Sequence, residues 1–205
     1  LYCLREGVED GRLKHFANVF LDSPMAISAT RIFARHPECF DAETLDLSHN
    51  GRDPFGLPGL HFTRETAESM AINRVQGGAI IIAGSGMCTG GRVRHHLKHN
   101  LWNQRNSVVF VGYAARGTLA RRIVDGARRV SIFGEEIEVR AGVHTIGGFS
   151  AHADQSELLA WHAHTGNPKT TYLVHGEEQS MRAMAAEIKS GRVEIPELHQ
   201  SYEIE

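Results

Sequence analysis

Three short apolar runs set the frame of the chain. Ala79-Ile80-Ile81-Ile82-Ala83 is continuous and mostly β-branched, residues 107–112 form a second run, and residues 17–21 a third. Runs of this length without polar alternation predict strands covered on both faces. Between them the spacing turns helical. Val93, Leu97 and Leu101 recur at i, i+4 and i+8, with Arg94, His95, Lys98 and His99 off the stripe, which predicts one buried helix face. Ser23 suits an N-cap and Pro24 the first helical position, so a helix is predicted over 24–35. Asp22, just before them, reads as part of a plain strand-to-helix junction. Further helices are predicted over 64–75, from Leu119 with Ile123 facing inward, over 156–164, and around Met181, Met184, Ala185 and Ile188. Short strands are expected at 60–63, 143–146 and 170–174, a hairpin at 129–133 and 136–140 around Gly134, and tail strands at 192–195 and 200–204. Residues 5–14 are polar, and residues 36–59 show no period and read as loop. Alternation of buried strands with amphipathic helices predicts an α/β fold with a mostly parallel sheet flanked by helices.

Composition narrows the picture modestly. A chain of 205 residues, 41% hydrophobic and 22% charged, has material for one large domain or two small ones. The formal net charge of −2 gives no global basic field, so any nucleic-acid contact must come from a local patch. No apolar run approaches the roughly 18–20 residues of a membrane span, and no signal-peptide pattern opens the chain. Cys3, Cys39 and Cys88 are odd in number and form no C-x-x-C pair, which points to a reducing, cytoplasmic setting. Leu1 begins mid-pattern, so the chain is expected to be a piece of a longer protein.

Candidate chemistry gathers at four turns. Gly84-x-Gly86-x-x-x-Gly90 lies between a strand and a helix, where backbone N–H groups, a helix N-terminus and Arg92 could meet an anion. A nicotinamide site would need an acid at the tip of the next strand, but that tip is Gly112-Tyr113-Ala114. A phosphate contact or mere tight packing remain for this turn. Ser85 is no nucleophile elbow, since Met87 and Cys88 follow where the second glycine is needed. Thr118 and Arg121 occupy the equivalent place on the neighbouring unit, so both turns are expected to open on one sheet edge. The third turn is Gly147-Gly148-Phe149-Ser150-Ala151-His152-Ala153-Asp154, in which Asp154-x-x-Glu157 forms a capping box. The fourth is His175-Gly176-Glu177, at the carboxyl end of a strand. Two imidazoles cannot hold a hydrolytic zinc, which wants three protein ligands and an open position. No H-x-H-x-D-H, H-E-x-x-H or cysteine cluster is present, and His95 and His99 have no third ligand beside them. The residues therefore offer part of a metal site.

Read together, the motifs resemble one family. Ser85-Gly86-Met87 with Gly90-Gly91-Arg92, His95-His96-Leu97, Gly112-Tyr113 with Gly117-Thr118-Leu119, Gly148 through Asp154, and Val174-His175-Gly176-Glu177 follow in order. This series resembles the β-CASP branch of the metallo-β-lactamase superfamily, the RNA-processing nucleases, over most of the chain. Ala114 and Ala120 depart from the Gln and Gly that members often carry.

The resemblance implies a division and a mechanism. Residues 1–146 match the β-CASP domain, and residues 147–205 match the C-terminal αβ segment in which the metallo-β-lactamase domain resumes. His152 matches the second β-CASP motif, a general acid on the leaving oxygen, and Asp154 is chiefly its helix cap. His175 matches the third motif, a zinc ligand, and histidine rather than valine there points to RNA instead of DNA repair. Ser85, Gly86, Gly90, Gly91, Arg92, Thr118, Arg121 and Ser150 would contact neighbouring phosphates, with Asp154 and Glu177 supporting the two histidines. The implied parent is a ribonuclease of the mRNA 3′-end-processing or RNA-decay type that uses two zinc ions. Its H-x-H-x-D-H half would lie upstream of Leu1, so this stretch alone is expected to be inactive and to hold zinc weakly. The implied partners are RNA, that upstream half and a possible second copy, with no membrane. The alternative is a non-catalytic RNA-binding or partner-docking module.

Overall fold

A computed structural model of the chain describes residues 1–13, 18–149 and 152–203. Helix α1 (Tyr2–Glu9) occupies the polar stretch for which no element was expected. Strand β1 (Asn18–Leu21) follows, and Ser23 caps α2 (Pro24–Phe33) as predicted, its hydroxyl accepting from the Ala26 N–H. The expected loop beyond is broken by a 3₁₀ turn at Pro37–Cys39 and by α3 (Ala42–His49), which Asp41 caps through the Thr44 N–H at 2.8 Å. Strand β2 (Leu60–Phe62), helix α4 (Thr66–Ile72) and strand β3 (Ala79–Ile82) complete the first layer. In it β1 is central and parallel to both β2 and β3, with Leu21 opposite Phe62 on one side and Ile82 on the other.

The second body begins with α5 (Val93–Asn100), β4 (Ser107–Val111) and α6 (Leu119–Val124). Strands β5 (Arg129–Ile132) and β6 (Glu135–Glu138) pair antiparallel, joined by Phe133 and Gly134 alone. Both joining residues have positive φ, 54° and 81°, the backbone that a two-residue hairpin turn of matching twist requires. Strand β7 (Gly142–Ile146) then runs parallel to β4, with Val111 opposite Ile146. After it come α7 (Gln155–Ala163), β8 (Thr170–Tyr172), α8 (Glu178–Glu187) and β9 (Arg192–Glu194), with β8 and β9 parallel. Residues 200–203 form no strand, unlike the prediction for that tail.

The α/β reading holds, and every ladder but the hairpin is parallel. Among the described residues the strands divide among four separate sheets rather than one. Two cores result. One surrounds β1 with Val19, Phe20, Leu21, Ile27 and Ile72. The larger joins Leu97 of α5, Leu101 at its C-cap, Phe110 of β4, Ile123 of α6 and Val130 and Ile132 of the hairpin. Full burial of a Leu or Ile side chain contributes about 1.5–3 kcal/mol, so this cluster anchors the molecule. No described residue after Ala141 is buried.

Candidate functional site

The glycine turn after β3 closes on itself. Val93 N–H donates to the Gly84 carbonyl at 3.2 Å, Ser85 N–H to Gly90 at 3.4 Å, and Cys88 N–H to Ser85 at 3.1 Å. Gly91 has φ +77°, and a Cβ there would lie 2.4 Å from the Gly84 oxygen, so glycine is required. At Gly86 and Gly90 a Cβ would meet nothing within 4 Å, which leaves open backbone facing space. The start of α5 differs from the expectation of an anion-ready helix end. Its first N–H groups are already taken, Val93 by Gly84, Arg94 by Gly91 and His95 by Arg92. The unclaimed donors sit one step earlier: among the described residues, the N–H groups of Gly86, Met87 and Thr89 through Arg92 have no backbone acceptor. Inside the turn Cys88 is buried, and burial pushes its thiol up to about 11, which leaves it unreactive.

Arg92 faces inward. Its Nη1 donates to Asp22 Oδ1 and to the Thr63 carbonyl, both at 2.7 Å, and its Nη2 to the Arg64 carbonyl at 2.7 Å. Asp22 is fully buried at the carboxyl end of β1 and also accepts from Thr63 Oγ1 at 2.7 Å, Ser69 Oγ at 2.6 Å and His96 Nε2 at 2.6 Å. Burial pushes its carboxyl up, and the bonds from Ser69, His96, Thr63 and Arg92 outweigh that and hold it below the ordinary aspartate value. From the sequence, Asp22 reads only as a junction residue and His96 only as part of the His95-His96-Leu97 motif, and nothing pairs them. His96 had a readable signal, since it lies at i+3 from Val93 and so falls on the apolar face of α5.

The second turn follows β4. Thr118 caps α6: its hydroxyl accepts from the Arg121 N–H at 3.2 Å and donates to the Ala115 carbonyl at 2.6 Å. Arg121 Nε reaches both oxygens of Asp125 at 2.9 Å, and this pairing raises its pKa further. Although β3 and β4 belong to different ladders, the two turns meet. Ala120 N–H donates to the Met87 carbonyl at 3.2 Å, and Ala115 N–H approaches Met87 Sδ at 3.2 Å. They are joined by loop contacts, not by the shared sheet edge expected of them.

Glu177 ties a third segment to this pair. Its carboxylate accepts from the Tyr113 hydroxyl and from the Arg116 N–H at 3.1 Å, and it pairs with Arg116 Nε at 3.2 Å. Tyr113 and then Arg116 hold Glu177 below the usual glutamate range, while Glu177 pushes the Tyr113 phenol up. Two residues earlier, His175 is exposed with φ +64°. The turn between them is tight, because a Cβ at Gly176 would lie 2.7 Å from Met181 Cγ. Tyr113 and Arg116, which sequence reasoning did not single out, thus fasten the His175 turn to the loop after β4.

His152 is exposed ahead of α7. Asp154 caps that helix as predicted, its Oδ1 accepting from the Glu157 N–H at 2.9 Å while Glu157 returns a bond to the Asp154 N–H at 2.9 Å. Ser150 lies outside the described residues. Among the described residues, no group of three or more His, Cys, Asp or Glu is placed to hold a metal ion. The residues present therefore do not make a zinc site, and His175 could serve only beside ligands from elsewhere. His95 is engaged in packing: its ring lies 4.6 Å from that of Phe133, over which Arg94 also sits at 4.3 Å. No helix among the described residues is long and apolar enough to cross a membrane.

Comparison with known proteins agrees with this layout. Residues 1–123 match the Beta-Casp domain, and residues 136–196 match the Zn-dependent metallo-hydrolase RNA specificity domain. The chain is 45% identical to ribonuclease TTHA0252 of Thermus thermophilus, over 82% of this chain and 38% of that protein. It is 36% identical to the transcription termination factor FttA of Pyrococcus abyssi, over 84% of this chain and 28% of that protein. The FttA of Methanocaldococcus jannaschii is 33% identical over 85% of this chain and 28% of its own length. The chain thus spans well under half of these relatives. It belongs to the β-CASP branch of the metallo-β-lactamase superfamily, a Beta-Casp domain running into an RNA specificity domain.

Proposed function

We propose that this chain is the RNA-facing part of a zinc-dependent ribonuclease that hydrolyses phosphodiester bonds in the cytoplasm. The observation that carries the reading is the junction at Glu177. Through Tyr113 and Arg116 it brings the His175 turn against the loop that also contacts the glycine turn at Met87. One candidate metal ligand and two candidate phosphate-binding turns thereby belong to one assembly. The N–H groups without backbone acceptors and the open space at Gly86 and Gly90 suit a phosphate oxygen, which accepts such donors without recognising a base. Thr118, Arg121 and Arg92 serve here as a cap, an ion pair and a brace, so their part in phosphate binding is to shape the turns.

Zinc would supply the activated water when bound, with ligands that these residues do not complete. The upstream half of the protein is the partner we assign to provide them, and without it the chain is inactive. We place the seam between the two parts at Ile146 and Gly147, where β7 leaves its partner β4, five residues past Ala141, the last buried residue described. His152, exposed just beyond that seam, is the group we assign to protonate the leaving sugar oxygen. The test is His152→Ala in the intact protein, assayed on a single-stranded RNA oligonucleotide. A lost general acid lowers kcat by about 10²–10⁴-fold while KM changes little. An unchanged kcat removes His152 from the chemistry. Cleavage that survives a chelator removes the metal from it.

A further inference from the structure

We propose that Asp22 is the positioning residue of the 84–91 turn, clamping both of its feet so that its open backbone is held ready for an RNA phosphate. The proposal rests on the reading of that turn given above. The first foot is the end of β3, where Asp22 N–H donates to the Ile82 carbonyl at 2.8 Å. The second foot is Arg92 at the start of α5, held by the Asp22 carboxylate at 2.7 Å, with His96 one turn on held at 2.6 Å. One fully buried residue therefore grips the chain on either side of the turn. Thr63 and Ser69 occupy the remaining acceptor positions and fix the carboxylate from β2's end and from α4.

Two further features show how closely the turn depends on this clamp. The Arg92 guanidinium is locked by the carbonyls of Thr63 and Arg64 as well as by Asp22, so it cannot swing without breaking three bonds. The Gly84 carbonyl accepts from the Val93 N–H at 3.2 Å and leaves no room for a Cβ at Gly91, so a shift at Arg92, which lies between them in the chain, is passed to the start of the turn. Asp22 touches no substrate in this arrangement. Its effect on RNA runs through Arg92 and the backbone of the turn.

The experiment measures binding of a fluorescein-labelled single-stranded RNA oligonucleotide to the intact protein, using four variants. Asp22→Asn keeps the shape but turns an amide N–H toward donors. Arg92→Lys keeps the charge but loses the fork. Ser69→Ala removes one support from the carboxylate without touching either foot. Gly86→Asp places a negative charge in open space on the turn and so probes the RNA contact itself. With the folded fraction matched, Asp22→Asn and Arg92→Lys are expected to raise Kd about tenfold, since a displaced contact is lost out of proportion to its shift. Ser69→Ala should stay within about twofold, because the feet remain held. Steady-state cleavage should show the same split, with KM raised and kcat kept; a merely structural role would lower the active fraction and leave KM unchanged. Wild-type Kd for Asp22→Asn and Arg92→Lys with weakened binding for Gly86→Asp overturns the positioning role and spares the RNA reading. Wild-type Kd for all of them overturns both. Should Asp22→Asn fail to fold, Arg92→Lys decides.

Discussion

Residues between β3 and β7 and residues beyond Ile146 are made of the same parts and end differently. Each stretch alternates short strands with helices, one of them capped by a side chain, and each holds a parallel strand pair, to which the first adds the antiparallel hairpin. The first buries Leu101, Ile123 and Ile132 completely. The second buries nothing among its described residues and exposes Trp161 at 69% and Val174 at 67%. Local signals explain the likeness. Helix α7 carries the capping box Asp154–Glu157, the same device that Glu65 and Glu68 give α4. Yet α4 buries Ile72 and α7 buries no residue. Caps and pairing build elements, whereas burial makes them stable. Among the described residues, Glu177 ties the second stretch to the first through hydrogen bonds and an ion pair.

The largest effect should separate the two stretches directly. Leu101→Ala removes a fully buried side chain from the main cluster and should cost about 2–5 kcal/mol, read by urea unfolding. Trp161→Ala should stay within about 0.5 kcal/mol, as for a surface position. It should also reduce any self-association in light scattering, because Trp161 and Leu158 leave apolar surface exposed on α7. Comparable losses for both would mean that α7 is packed as firmly as α5.

Acid should come next, acting on the first layer through Asp22. Its folded pKa lies below the unfolded value of 3.8, because the carboxylate form is hydrogen-bonded on all sides. The stability that this contributes is complete above pH 3.8 and is lost as pH falls through the lower folded pKa. An unfolding titration should therefore steepen in that acid window, and Asp22→Asn should flatten it. A titration that keeps its acid limb in Asp22→Asn assigns the limb to other carboxylates.

How much of this was legible follows from the range of each signal. The Ser23–Pro24 start of α2, the Asp154 cap, the stripe of α5 and the turn at Gly134 are decided within a few residues. Each was readable. Helices α1 and α3 were not, since α1 runs from a short apolar run into polar residues and α3 buries no residue; only the Asp41–Thr44 cap hinted at the latter. Asp22 looked like a turn residue because its partners Thr63, Ser69, Arg92 and His96 lie 41, 47, 70 and 74 residues away. Apolar runs located the strands but neither their cover nor their pairing. Strand β1 is buried, whereas β3 is only half-buried and Val109 and Val111 of β4 are exposed, and four sheets were read as one. The glycine turn was legible as a turn, but not that it satisfies the first N–H groups of α5 itself.

The smallest effect probes the comparison most finely, because it applies one lesion on both sides. Thr118 and Asp154 each cap a helix by accepting an N–H three residues on. Thr118→Ala should cost about 1 kcal/mol of global stability, the usual loss for a cap. That loss reaches the whole cluster because Ala120 and Ile123 of α6 are fully buried in it. Asp154→Ala breaks a fuller cap, since Ser156 Oγ also donates to Asp154 Oδ1 at 2.6 Å. Even so, it should leave the main unfolding transition where it is. The lost bonds belong to a helix with no buried side chain, so α7 frays without loosening the core. Amide exchange should show the fraying as faster exchange confined to α7. If Asp154→Ala instead lowers the unfolding midpoint as far as Thr118→Ala does, α7 unfolds together with the core and the two stretches form one cooperative unit.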